Sequence, residues 1–264
     1  MPIKPKSKTL VFAVQGSFSW TVPANVSLVF LTGVGAGGGG GGGTLSYAGH
    51  GMGGGGSGEF VESFPVNVTP GVIVAVYVGA GGLGANQLGN IGEDGLDGED
   101  CTFGGVHIAG GKGSILTTIF GSVRSVGGAG GGGLGAFYAN DKQAGVMGSS
   151  NGYSLGGSSG GGGSQLSGGA SNYGGPSLNG FAGGAYGSGT LPSGGGAASP
   201  IGNGGAGGTP ESGAALETDT YGQTGGIGAG GGGSGSQNLL HTPRWLTKGG
   251  NGGDGWLMIE WVES

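Results

Sequence analysis

The chain has little charge, one cysteine, three histidines and no long apolar run. Only 8 of its 264 residues are Lys or Arg and 14 are Asp or Glu, a net charge of −6. The few cations are scattered, which excludes the basic stripe of a nucleic-acid footprint. No nucleic-acid partner is expected. A lone Cys101 excludes an intrachain disulfide. The apolar run "TLVFAV" stops at Gln15 and Gly16, too short for a secretory signal. Nothing approaches the roughly 20 apolar residues of a membrane span. Synthesis and folding in a cytoplasm without membrane insertion are therefore expected. Sustained helical periodicity is missing as well.

What is present is glycine, 80 residues of it, where ordinary usage is about 7%. Each glycine loses much conformational freedom on ordering and brings no side chain to a core. Disorder would be the simple consequence, but apolar, alternating segments bracket the glycine. "TLVFAV" and "SFSWTV" alternate Leu10, Phe12, Val14 and Phe18, Trp20, Val22 with small or polar neighbours. Val26 to Leu31 is more continuously apolar, as in a strand covered on both faces. Residues 59–78 read as a hairpin through Thr69-Pro70-Gly71, with φ fixed at proline and positive at glycine. Further strands are expected at 114–126 and in the closing "GWLMIEWVES", which should pair with the N-terminal strands.

The expectation is an all-β frame with strands near 10–34, 59–79, 114–126 and 255–263, in one domain spanning 10–264. Residues 1–9 form a short basic tail, a candidate attachment segment. Residues 35–58, 80–113 and 127–254 are glycine-rich insertions. Within the last, 143–210 contain no Asp, Glu, Lys, Arg or His and are dotted with Tyr and Phe.

A threefold helix of the polyproline-II type has no internal hydrogen bonds, so its amides must find partners outside it. Chains bearing only hydrogen at Cα can approach closely enough to pair those amides. Many bonds, each about 0.5–1.5 kcal/mol net, would offset the glycine entropy. A collagen triple helix is disfavoured because the Gly-X-Y period breaks down and prolines number ten.

The stretch "GNIGEDGLDGED" places Gly89, Gly92, Gly95 and Gly98 at period three, with Glu93, Asp94, Asp97, Glu99 and Asp100 between them. A calcium site needs six to eight converging oxygens, whereas a threefold helix spreads its triplets about 9 Å apart. A solvated acidic edge, with glycines facing a bundle, is the preferred reading over a metal site.

No catalytic set emerges, and neither an enzyme nor a cofactor is expected. His50, His107 and His241 stand apart, and Cys101 lacks an activating cluster. "VHIAGGKGS" lacks the first glycine and the hydroxyl residue of a phosphate loop. "GGNGGDGWL" fits a calcium nonapeptide once, through Asp254, where a β-roll needs tandem copies. The sequons at Asn25 and Asn67 are read as incidental without a secretion signal.

"GSFSWTVPANVSLVFLTGVGAGGGGGGG", "VNVTPGVIVAVYVGAGGLG", "DCTFGG" and "GGDGWLMIEW", in this order, resemble the glycine-rich domains of bacteriophage tail-fibre and other virion proteins. The resemblance covers nearly everything after Gly16. It implies an antiparallel β-sandwich, jelly-roll-like, with an inserted polyglycine-II helix bundle. It also implies a virion location, other virion proteins as partners and, by analogy with fibres, a homotrimer.

Three functions follow as expectations. The first is a tail-fibre or spike tip that binds a host surface glycan or outer-membrane protein. Tyr153, Asn172, Tyr173, Asn179, Phe181 and Tyr186 are its candidate contact residues, because aromatic faces stack on sugars and amides bond hydroxyls; alternatively these aromatics seal the bundle. The second is a capsid decoration or tail adaptor protein with a structural role alone. The third is an ice-binding glycine-helix protein, which the irregular glycine spacing disfavours.

Overall fold

The computed structural model describes residues 6–42, 45–46, 51–87, 92–119, 122–132, 145–151, 153–161, 173–177, 179–185, 193–209, 220–235, 237–238 and 247–263. In chain order the strands are β1 (Lys6–Phe12), β2 (Gly16–Thr21), β3 (Leu28–Val34), β4 (Leu45–Ser46), β5 (Phe60–Asn67), β6 (Ile73–Val78), β7 (Asn86–Gln87) and β8 (Cys101–Phe103). They continue with β9 (Val106–Ile108), β10 (Ile115–Ile119), β11 (Ser122–Val126), β12 (Ser150–Asn151), β13 (Ser154–Leu155), β14 (Gln237–Asn238), β15 (Thr247–Lys248) and β16 (Trp256–Glu263). No α-helix occurs among the described residues.

Two antiparallel sheets form the frame. The larger runs β1-β16-β3-β5-β13-β12 and the smaller β2-β6-β8-β9. The closing strand β16 sits between β1 and β3, with Leu10 opposite Ile259 and Ile259 opposite Leu31. Alternation along β16 buries Leu257, Ile259 and Trp261, as a period of two requires. One hydrophobic core joins both sheets: Phe12, Val29, Leu31, Leu257 and Ile259 meet Val76, Val78, Phe103 and Ile108. Trp20 bridges them, with its ring 5.3 Å from Trp261 and 6.0 Å from Phe103. The Thr69-Pro70-Gly71 turn closes as expected, Val72 N–H donating to Thr69 C=O at 3.2 Å and Gly71 at φ 77°. Opposite a register shift in β3, Ser63 takes a left-handed φ of 49°, and its N–H donates to Thr32 Oγ1 at 3.1 Å.

Three boundaries differ from the sequence reading. Strand β1 begins at Lys6, inside the supposed basic tail, because its edge pairs with β16 out to Glu263; residues 1–5 lie outside the described residues. Cys101–Phe103 and Val106–Ile108, assigned above to a glycine-rich insertion, are frame strands, and their buried Cys101, Phe103 and Ile108 belong to the core. The 114–126 region is not in the frame. Among the described residues β10 and β11 form a two-stranded ladder apart from both sheets, because 109–114 carries the chain away from them before the hairpin begins.

The frame strands run straight on into glycine. Segment 35–42 continues β3, 79–85 continues β6 and 109–114 continues β9, while 53–59, 93–100 and 249–255 lead back into β5, β8 and β16. The bonds of 35–42 repeat every third residue. Gly37 and Gly40 donate to Gly253 and Gly250, Gly38 and Gly41 to Gly56 and Gly53, and Gly39 and Gly42 to Leu96 and Glu93, all at 2.8 to 3.1 Å. Carbonyls follow the same rhythm: Gly37 and Gly40 accept from Gly82 and Ala85, Gly38 and Gly41 from Gly231 and Ser234, Ala36 and Gly39 from Gly111 and Ser114. Returning segments are thus antiparallel to 35–42 and outgoing ones parallel, six neighbours named above in all.

Such proximity leaves no room for a side chain. A Cβ on Gly39 would lie 2.2 Å from Leu83 O, one on Gly55 2.1 Å from Gly38 O, and one on Gly230 2.0 Å from Gly55 O. Around these glycines the interior is main chain, with small side chains such as Ala36, Ala197 and Ala229 and the larger Met52 buried beside it.

Candidate functional site

At the edges of the glycine array a backbone neighbour is missing, and a side chain takes its place. Asp100 Oδ1 accepts from Gly110 N–H at 2.9 Å, Asp97 Oδ1 from Gly113 N–H at 2.9 Å and Asp94 Oδ1 from Leu116 N–H at 2.6 Å. Donors and acceptors both step by three, in opposite directions. Asp254 Oδ1 and Asn251 Oδ1 do the same for Gly81 and Gly84, each at 2.9 Å. The acids of "GEDGLDGED" are therefore not simply a solvated edge, as the sequence reading has it. All five are exposed, but Asp94, Asp97, Glu99 and Asp100 satisfy amides that the array would otherwise leave open. Their glycines do face inward: a Cβ on Gly95 would meet Gly39 O at 2.1 Å. Among the described residues no group of three or more His, Cys, Asp or Glu side chains is placed to hold a metal ion.

A trough of about 830 Å³ runs between main chain at 80–83, 224–227 and 251–255. The carboxylates on it are already engaged. Asp97 pairs with Lys112 Nζ at 2.9 Å as well as capping Gly113, and Asp254 caps Gly81. Glu99 accepts from the Tyr77 hydroxyl and from Ala80 N–H. The Tyr77 bond, then the Ala80 bond, holds the Glu99 carboxyl below its usual range, and the same contact raises the Tyr77 phenol. Cys101 is buried, its Sγ receiving Gly79 N–H at 3.3 Å and facing Val34 O at 3.2 Å. Burial pushes its thiol up to about 11, so it is a poor nucleophile at neutral pH.

Of the candidate contact residues, Tyr153, Tyr173, Asn179 and Phe181 are described and all four are exposed. Asn172 and Tyr186 lie outside the described residues, as do His50 and His241. Tyr173, Asn179 and Phe181 share one strip at the edge of the array. Segment 173–177 turns back at Gly180, φ 84°, where Ser177 Oγ accepts from Phe181 N–H at 3.0 Å. The return leg pairs through Gly174 N–H to Gly184 O at 3.0 Å. Tyr173 is 45% exposed and Phe181 36%. Tyr153 stands elsewhere, between β12 and β13 on the larger sheet, its ring packed edge-on against Phe64 with centroids 5.9 Å apart.

Sequence reasoning missed the residues around Tyr153. Glu59, Val61, Phe64, Val106, His107 and Ser154 join it around a second cavity of about 280 Å³. They come from three separated stretches that only the pairing of β5 with β13 and the position of β9 bring together.

The protein is all-β, with strands that extend into amide-paired glycine segments. The chain belongs to the glycine-rich domain family, whose sequence profile matches residues 13–262. No curated protein matches the chain.

Proposed function

We propose that the protein is a bacteriophage virion component, the tip of a tail fibre or spike that adsorbs to the host cell surface. On this reading the frame is a jelly-roll-like sandwich, the glycine segments are polyglycine-II helices, and the chain works as a homotrimer beside other virion proteins. The observation that carries the proposal is the exposure of Tyr173, Asn179 and Phe181 on a segment that turns back at Gly180 and is hydrogen-bonded to the array, together with the exposure of Tyr153 between β12 and β13. Aromatic and amide groups on rigid turns lose little entropy on binding, which suits repeated capture of a surface glycan. The resemblance of "GSFSWTVP" and "GGDGWLMIEW" to virion glycine-rich domains supports the same reading. The purified protein is expected to adsorb to host cells and to block infection. Absence of the protein from purified particles of the phage that encodes it would refute the proposal.

One observation favours a structural role as decoration or adaptor protein instead. The outer face of the larger sheet exposes Val11, Leu28, Phe30 and Val262, an apolar surface that suits packing against another virion protein. The two readings part on substitution of exposed side chains: Tyr173→Ala with Phe181→Ala costs an adhesin its adsorption while particles still assemble, and Phe30→Asp costs a structural protein its assembly.

A further inference from the structure

The cavity beside Tyr153 opens along the seam between the two sheets, where β5 and β13 of the larger sheet face β9 of the smaller. Its floor is apolar. Val61 belongs to the core, and Phe64 and Val106 pack against it. Its rim is polar and aromatic, formed by Tyr153, His107, Ser154 and Glu59. Tyr153 is 51% exposed and its ring lies at 87° to that of Phe64, so part of the aromatic surface remains open to a ligand. Glu59 is held from two sides: Oε1 accepts from Ser154 Oγ at 2.5 Å and Oε2 from Ala109 N–H at 3.1 Å. A carboxylate fixed in this way keeps lone pairs for a further donor.

We infer that this seam cavity is a binding site for one neutral pyranose ring. The aromatic face and apolar floor suit the C–H face of a sugar, and the Glu59 carboxylate and the His107 imidazole suit its hydroxyls. Small-molecule sites usually start at about 300 Å³, so about 280 Å³ holds a single ring rather than an oligosaccharide. The carboxylate, in a chain of net charge −6, disfavours acidic sugars. The inference deepens the adhesin reading and rests on it for its biological sense, but the site is distinct from the strip carrying Tyr173 and Phe181.

The test is titration of the full-length protein with methyl α-glucopyranoside, methyl α-galactopyranoside, methyl α-mannopyranoside and N-acetylglucosamine, read by amide chemical shifts. At least one glycoside should saturate, with shifts centred on His107, Tyr153 and Ser154. Tyr153→Ala and His107→Ala alter exposed side chains, and each should weaken that binding at least tenfold while leaving the spectrum elsewhere unchanged. Absence of binding by all four glycosides overturns the inference, as does binding that neither variant weakens. Adsorption to host cells without any shift in the seam rejects the cavity and leaves the adhesin standing. Glycoside binding in the seam by a protein absent from phage particles rejects the adhesin and leaves the cavity standing.

Discussion

Around Leu31 the interior consists of side chains; around Gly38, a few residues past the end of the same strand β3, it consists of main chain. The frame buries Leu31, Leu257 and Ile259 completely and gains from area removed from water, about 25 cal/mol per Å². The array buries its glycines just as deeply but gains from amide pairs such as Gly38 to Gly56 at 2.8 Å. The two halves therefore fail in opposite ways. A frame position suffers when atoms are removed, and an array position suffers when one is added.

The largest effect should come from adding a methyl group to the array. Gly55→Ala places Cβ 2.1 Å from Gly38 O, a backbone atom that cannot swing away. The substitution should cost at least about 3 kcal/mol or abolish folding, as read by urea denaturation. Gly105→Ala, where a Cβ would meet nothing within 4 Å, should fall within about 0.5 kcal/mol of the parent. Equal losses at both positions would dissolve the distinction between array and turn glycines.

Next comes the frame. Leu257→Ala empties a fully buried site and should cost about 2–5 kcal/mol by the same assay. A smaller effect is expected at the array's edge. Asp100→Ala leaves the Gly110 amide without its acceptor and should cost about 1 kcal/mol, with faster hydrogen exchange at Gly110. Asp100→Asn keeps an oxygen there and should be closer to neutral, so geometry rather than charge is what the pair of variants measures.

The smallest effect is electrostatic and pH-dependent. Glu99 has a depressed carboxyl, first because of the Tyr77 hydroxyl and then because of Ala80 N–H. Its contribution to stability is present above the unfolded-state value and lost as pH falls through the folded one. Tyr77 is raised by the same contact, so its contribution is lost as pH rises through the folded phenol value. Tyr77→Phe should move the Glu99 carboxyl up toward its ordinary range in an NMR titration, with little change in stability because both groups are exposed.

Much of the frame was legible because strands announce themselves through alternation. Leu257, Ile259 and Trp261 point inward as their spacing requires, and the Thr69-Pro70-Gly71 turn needed only its own chemistry. The short strands Cys101–Phe103 and Val106–Ile108 were hidden because three residues are too few to show a period. Conversely, 115–126 has strand composition, but only the topology reveals that it pairs away from the frame.

The acidic triplets were half-readable. Their period of three placed glycine on the inner edge, yet nothing local tells Asp97 that its partner is Gly113. The seam cavity was the least legible feature, since Glu59, His107 and Tyr153 share no local pattern and meet only through sheet pairing.

Hydrogen exchange resolved to single amides tests the central claim most directly. Amides of 35–42 and 53–58 should be protected as strongly as those of β3 and β16 and should exchange only on global unfolding. Exchange of these glycine amides at the rate of an unstructured peptide, with the strands still protected, would contradict the account.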